Sequence, residues 1–390
     1  MNKKKIILIH RNLGVFDYYF PIALTNQHYD YHFYIFDLDN WYQLISSKEI
    51  SKIIKEFKVN IYFHMGSLRS TNLKIDNRIL LFLIKNIIIK LRLNVHRNLR
   101  SILNFLFIGT SLIGSKIIKC KEFENYDILF QWSKLDSIGK NLLTKLKSIN
   151  KKITLVPDAV YSDISYTWPI SDMTNDMNIR FNVTHENNKE YLVKNFNISP
   201  NSIKLVPNCI KNKQLKSKFE KLSNSLKEKN SKKIVYFSQK NFNSSNDEQL
   251  DYISIIEHKK NLKSIFNYLS IYRHKSNFIF YLKLHPKKYI LDSKWLKNLS
   301  KEFKIKIVIV KETTVWPLIL KSDLIFNEFS SSFILSTIKN NTFLIQNKSF
   351  EYYFHNSAQV NDVYKNFMET EINSIENFSE KLDYYFLNSL

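Results

Sequence analysis

The residue types best suited to chemistry lie late in the chain. The apolar run Phe278–Leu284 leads into His285-Pro286, and a second run, Leu324–Phe326, leads through Asn327, Glu328 and Phe329 into Ser330-Ser331-Ser332, which opens an apolar helical stretch. Serines at a helix start are ordinary caps, yet the same helix start is an anion site, because its free N–H groups and dipole favour negative charge. An imidazole beside it completes a clamp for a phosphate. Each half alone is commonplace; the two together, at strand ends of one domain, carry the information. Glu312, after the run Lys306–Val310, could reach a ribose hydroxyl, or it could be a first-turn helix carboxylate favoured by the dipole. His10 and His64 each close a short apolar run in the first half, placed either to line a cleft or to face solvent. Asp37-Leu38-Asp39 has the form of a metal-holding Asp-x-Asp but comes too early in the fold and is read as a chance match. The chain has no P-loop, no GxGxxG and no HExxH, so ATP-driven, NAD-linked and zinc-hydrolytic chemistry lack support. No metal and no cofactor are expected.

These residues need a frame, and the hydrophobic pattern supplies one. Short β-branched and aromatic runs at Lys5–Ile9, Tyr31–Phe36, Asn60–Phe63, Ile128–Gln131, Ile153–Val156, Phe181–Thr184 and Ile203–Val206 alternate with amphipathic stretches, among them a helix over Asn187–Asn195. A second set follows at Lys233–Phe237, Phe278–Lys283, Lys306–Val310 and Leu324–Phe326, and the tail from Ile375 to Leu390 reads as helical. Strand–helix alternation of this kind predicts parallel sheets with helices on both faces. The expected fold class is α/β: two doubly wound Rossmann-like domains facing across a cleft, with ligands at the carboxyl ends of the strands. The predicted division is an N-terminal domain over 1–210, a helix-like, Lys/Ser/Asn/Glu-rich connector over 211–232, and a C-terminal domain over 233–390 ending in the helical tail.

Composition narrows the class. A chain of 390 residues with 44% hydrophobic content can bury two cores, and its five Gly and seven Pro leave little room for repeats or long linkers. Cys120 and Cys209 form no ligand or disulfide spacing, and the four-residue apolar run before His10 is too short for a signal-peptide core; a cytoplasmic setting is expected. The net charge of +23 would attract any polyanion without choosing among nucleic acid, anionic lipid and acidic glycan. No recognition helix or basic stripe with interleaved aromatics stands out, so nucleic acid is not the expected partner, and a non-catalytic nucleic-acid-binding protein is the remote alternative. From Asn77 to Lys121 there is no acidic residue, and Ile79–Leu93 is largely apolar with Lys85, Asn86 and Lys90 on one stripe with Arg97. That pattern suits either a core helix with a basic edge or a helix lying on an anionic membrane, a peripheral contact through 78–119 at the inner face of the cytoplasmic membrane.

The order Phe237-Ser238-Gln239, then Leu284-His285-Pro286, then Phe329 to Ser332, resembles bacterial sialyltransferases of the lipooligosaccharide and polysialic-acid capsule type. The resemblance covers about the C-terminal domain. It implies a two-Rossmann glycosyltransferase of the GT-B type that holds the phosphate of CMP with His285, Ser331 and Ser332, with Ser330, Gln239, Pro286 and Glu312 in the same donor site. It also implies a general base after a strand of the first domain, where this chain has Pro157-Asp158-Ala159 in place of an acidic pair and Gly; Asp158 takes that position, and otherwise it is a turn residue. The stretch Phe181 to Asn208, with Val183-Thr184-His185-Glu186, is similar to the last strand–helix–strand unit before the domain crossing in many two-Rossmann glycosyltransferases, which adds Glu186 to His10 and His64 as acceptor-side candidates. The implied activity is inverting, metal-independent transfer of sialic acid or a related acidic sugar from a CMP-activated donor to a glycan or lipid-linked acceptor of the bacterial surface. CDP-glycerol or CDP-ribitol polyol-phosphate transferases, which also pair a His-Pro with serines, and transferases using UDP-sugars or CMP-Kdo are the alternatives within this architecture.

Overall fold

The computed structural model describes residues 4–10, 17, 29–35, 60–63, 126–130, 143–144, 148, 153–156, 179–183, 186–205, 213–226, 231–238, 240–242, 252–272, 277–284, 293–310, 314–328, 336 and 342–345. The chain divides into two compact units, Met1–Leu215 and Lys216–Leu390.

Among the described residues of the first unit, the β-branched and aromatic runs form seven strands: β1 (Lys4–His10), β2 (Tyr29–Ile35), β3 (Asn60–Phe63), β4 (Tyr126–Phe130), β5 (Ile153–Leu155), β6 (Ile179–Val183) and β7 (Ile203–Leu205). They make one sheet in the order β3-β2-β1-β4-β5-β6-β7, every pair parallel. The order runs outward from β1 in one direction and then, from β4, in the other. Helix α1 (Glu186–Phe196) connects β6 to β7. It stops at Asn197, which takes a left-handed φ of 52°, a conformation Asn tolerates better than most residues.

The second unit repeats the plan. Helix α2 (Lys213–Leu226) precedes β8 (Lys232–Phe237), a small parallel ribbon of β9 (Lys240–Phe242) and β10 (Tyr252–Ser254), then helix α3 (Ile255–Ile271), β11 (Phe278–Lys283), helix α4 (Ser293–Phe303), β12 (Lys306–Val310), the short helix α5 (Trp316–Lys321), β13 (Leu324–Asn327) and β14 (Thr342–Leu344). The main sheet is β12-β11-β8-β13-β14, again parallel throughout. Counting its strands in chain order gives 3-2-1-4-5, the doubly wound order, with the reversal between β8 and β13. Each unit is therefore a Rossmann-like α/β layer structure.

The central strands are covered on both faces, which is why they read as nearly unbroken apolar runs. Residues 233–237 of β8 and all of β13 are buried, whereas the edge strand β12 has exposed or partly exposed residues along its length. Helix α3 buries Leu262, Ile265, Phe266 and Leu269, and α4 buries Leu296, Leu299 and Phe303, spacings that put each set on one helical face. Phe266 lies edge-on to Phe280 of β11 at 4.7 Å between ring centroids and to Phe303 at 5.9 Å, tying both helices to the sheet. Burying a side chain of this size contributes about 1.5–3 kcal/mol. Lys304, with φ of 52°, ends α4 and turns the chain into β12, while the Ile305 N–H donates back to the Ser300 carbonyl at 3.2 Å.

The strand runs expected from the sequence are all strands here, with ends moved by one or two residues; the ribbon and β14 were not anticipated. They are short, and their residues carry no alternation that separates them from loops. The Lys/Ser/Asn-rich stretch read as a connector contains α2, whose Phe219 and Leu222 are buried. The basic stretch 78–119 and the C-terminal tail lie outside the described residues.

Candidate functional site

A doubly wound sheet offers ligands its carboxyl edge, most openly where the strand order reverses. In the second unit that place is between β8 and β13. Lys283, Phe237 and Asn327 are register partners across β11, β8 and β13, and Val310 of β12 is level with Lys283. The ladder continues one step past the strands: the Leu284 N–H donates to the Val310 carbonyl at 3.1 Å, Ser238 to Lys283 at 3.0 Å, Glu328 to Phe237 at 3.1 Å and Ile345 to Asn327 at 2.7 Å. Five chain segments thus leave one even row, with neighbours about 4.8 Å apart. The row leads in sequence to Gln239 after Ser238, to His285 and Pro286 after Leu284, to Glu312 after Val310, and to Ser330, Ser331 and Ser332 after Glu328. Those seven candidates lie outside the described residues; the strand ends that deliver them lie inside. The segments bearing His285 and the serines flank β8 on its two sides, about 10 Å apart at the strand ends.

The row is braced by buried polar side chains. Ser238 Oγ donates to the Lys283 carbonyl at 3.1 Å, and the buried Lys283 ammonium donates to the Leu284 carbonyl at 3.2 Å. Asn327 Nδ2 donates to Ser336 Oγ at 2.9 Å, and Thr342 Oγ1 donates to the Ser336 carbonyl at 2.9 Å, so the helical residue Ser336 beyond the serine run is held from β13 and from the start of β14. Among the described residues, Thr314 Oγ1, in the segment between β12 and α5, and Asn261 Nδ2 on α3 are buried without a hydrogen-bond partner.

One feature of this edge was missed by sequence reasoning. Glu328, the residue that leaves β13 toward the serine run, is fully buried, and its Oε1 accepts from the Tyr236 hydroxyl at 2.6 Å and lies 2.6 Å from His258 Nδ1. His258, in the first turn of α3, and Tyr236, in β8, are also fully buried. An acidic residue two positions beyond the apolar run Leu324–Phe326 was the available signal, since a buried carboxylate must find partners. Its partner His258 lies far away in sequence, and nothing local announces it.

In the first unit the reversal falls between β1 and β4, and His10 is the last residue of β1, at the carboxyl end of a switch-point strand. Asp158 and His64 lie outside the described residues; Asp158 follows β5 and Val156, whose N–H donates to the Phe130 carbonyl at 3.1 Å, and His64 follows the outermost strand β3. Glu186 opens α1, is exposed, and pairs with Lys189 at 2.7 Å. Such an exposed pair contributes little to stability. It leaves Glu186 at the solvent face of a helix start. Asp37 and Asp39 lie outside the described residues, and among those described no group of three His, Cys, Asp or Glu side chains is placed to hold a metal ion. Also among the described residues, no helix is long and apolar enough to cross a membrane.

Strand order and edge geometry define the class: a protein of two Rossmann-like α/β units, the second with its carboxyl edge braced by buried polar groups. No protein-family model matches the sequence, and no curated protein matches it. Among solved structures, the chain is similar to the Methanocaldococcus jannaschii UDP-GlcNAc 2-epimerase in complex with UDP-GlcNAc and UDP, at 16% identity and a TM-score of 0.44, covering 98% of this chain and 92% of that one. It is similar to the family 9 glycosyl transferase of Veillonella parvula at 10% identity and a TM-score of 0.41, covering 99% and 97%. It is also similar to the wall teichoic acid polymerase TagF at 13% identity and a TM-score of 0.35, covering 69% and 75%. At these scores the likeness carries no statement about chemistry, and the architecture stands on the strand order itself.

Proposed function

We propose that the chain is an inverting, metal-independent glycosyltransferase that takes an acidic sugar from a CMP-linked donor and delivers it to a bacterial surface glycan or its lipid-linked precursor. The observation that carries this reading is the even row of strand ends about the β8/β13 switch point, from which the sequence runs on into Gln239, His285-Pro286 and Ser330–Ser332. A His-Pro and a serine run that follow in sequence the two strands flanking β8 are residue types suited to a phosphate.

In this reading the second unit takes the donor and the first the acceptor. The acceptor oxygen attacks the anomeric carbon, its proton passes to the Asp158 carboxylate, and the bond from that carbon to the phosphate oxygen breaks. CMP leaves with the electron pair, and His285, Ser331 and Ser332 neutralise its phosphate. General base catalysis of this kind contributes about 10²–10⁴ in rate, and positioned donors around the leaving anion contribute comparably. The enzyme works in the cytoplasm, and residues 78–119 bring it to the inner membrane face.

Thermal-shift measurements against CMP, CDP, UDP and GDP test the donor assignment, because a ligand that binds only the folded state raises its stability with affinity. The expected order places CMP at least level with CDP and above UDP and GDP. A clear preference for CDP moves the assignment to polyol-phosphate transfer. A preference for UDP leaves an enzyme of UDP-sugars and removes the CMP donor.

A further inference from the structure

The second unit holds a buried acid that the reaction above does not use. Glu328 has no exposed surface, so it cannot touch a substrate. Its main chain is tied to the end of β8 through the N–H bond to Phe237, and its side chain is tied to Tyr236 of the same strand and to His258 of α3. Tyr236 and Phe326 are register partners, and alternation along the strand puts Glu328 on the face shared by Phe326, Tyr236 and the first turn of α3. Only Phe329 separates this anchor from Ser330. At the far end of the segment, Ser336 is fixed by Asn327 and Thr342. Residues 329–335 are therefore bracketed by two buried polar anchors, both built on β13.

Packing alone does not call for a carboxylate here. The strand before it is buried along its whole length and apolar from Leu324 to Phe326, and an apolar side chain would fill the volume without the desolvation cost of an acid. What a carboxylate adds is direction: one oxygen that must meet a phenol hydroxyl and an imidazole nitrogen at once admits few backbone positions. Resting on the donor-site reading above, we infer that Glu328 is a positioning residue, held by His258 and Tyr236, that sets the start of the Ser330–Ser332 segment against the donor phosphate. His258 then links α3 to the same register.

The test uses the full chain with Glu328→Ala and Glu328→Gln. Hydrogen exchange should quicken across 329–336 in Glu328→Ala by about tenfold, with peptides from β11 and α4 unchanged, since a local anchor opens a local segment. CMP affinity should fall about tenfold and donor KM rise to match, with acceptor KM unchanged. Glu328→Gln, which keeps an amide oxygen for Tyr236, should recover most of both effects. Where Glu328→Ala does not fold, Tyr236→Phe removes one of the two bonds and should show the same effects in smaller measure. A folded variant with wild-type exchange over 329–336 overturns the inference, as does quickened exchange with unchanged CMP affinity. Wild-type protein that binds no CMP, CDP, UDP or GDP overturns the donor-site reading and the ligand half of this one, while the exchange data still report whether Glu328 pins the segment.

Discussion

In the second unit, buried and half-buried polar side chains gather where strands begin and end. The Asp323 carboxylate accepts from the Lys233 N–H at 2.9 Å while the Asp323 N–H donates to the Lys233 carbonyl at 2.7 Å, closing the amino-terminal ends of β8 and β13. Ser238, Asn327 and Glu328 close the carboxyl ends, where a ligand would sit. This division sharpens what side-chain changes should do. His285→Ala should cut turnover by about 10²-fold or more with the fold intact. Changing both Ser331 and Ser332 to Ala should weaken nucleotide binding by about 1–3 kcal/mol, the cost of leaving a charged group short of donors. Asp158→Asn should lower kcat by about 10²-fold while leaving nucleotide affinity unchanged, because a base on the acceptor acts in the transition state. Steady-state kinetics beside isothermal titration separate the three. Near-normal turnover in Asp158→Asn would shift the base to His10, His64 or Glu186.

At the scale of elements, the basic and polar α2 is seated through a buried face that includes Phe219, Leu222 and Ser223. Its Phe219 ring stacks on Trp316 of α5 at 4.6 Å and 14° between planes, and the Ser223 hydroxyl donates to the Leu320 carbonyl at the end of the same helix. Helix α5 is short, yet Trp316, Pro317, Leu318, Ile319 and Leu320 are all buried, and it lies between β12 and β13 in the chain. The prolyl ring suits its first turn, where no N–H donor is needed. Trp316→Ala should therefore cost about 3–5 kcal/mol, combining lost transfer energy with a cavity. Urea denaturation with a common m-value would show it. A loss below about 1 kcal/mol would mean that α2 and α5 close over the gap. Exposed substitutions on α2, such as Lys221→Ala, should be close to neutral.

For the whole molecule, two doubly wound sheets account for the length, and the excess of 58 Lys and Arg over 35 Asp and Glu sets the long-range field. A field of that sign draws anionic surfaces at low salt and is screened over about 8 Å at physiological ionic strength. If residues 78–119 carry the membrane contact, replacing Lys85, Lys90, Arg92 and Arg97 with acids should abolish flotation with anionic vesicles at low salt. An unmodified chain that ignores such vesicles, or a variant that floats as before, would return that stretch to the core.

The strands were legible because each central run, such as Ile234–Phe237 or Leu324–Phe326, is buried on both faces and must be apolar, a local demand that composition alone expresses. Alternation with helices then implied parallel sheets, and the doubly wound order followed from chain connectivity. His285 and the serines could be singled out because they stand at, or a few residues beyond, the ends of such runs. The ribbon of β9 and β10 was not legible, since strands of three residues carry too little pattern to distinguish them from turns. The helical character of Lys213–Leu226 was legible, but its polar composition hid its packing, because Phe219 and Leu222 are enough to seat one face when a tryptophan waits in the tertiary structure. Glu328 shows the limit most plainly. Its identity and its place after β13 are in the sequence, but its partners come from β8 and α3, brought to it only when the sheet forms with β8 beside β13 and α3 laid across it. Which residues lie at strand ends is a one-dimensional property of the chain; which strand ends become neighbours is decided by burial in three dimensions, where a carboxylate can leave water only if its partners arrive with it.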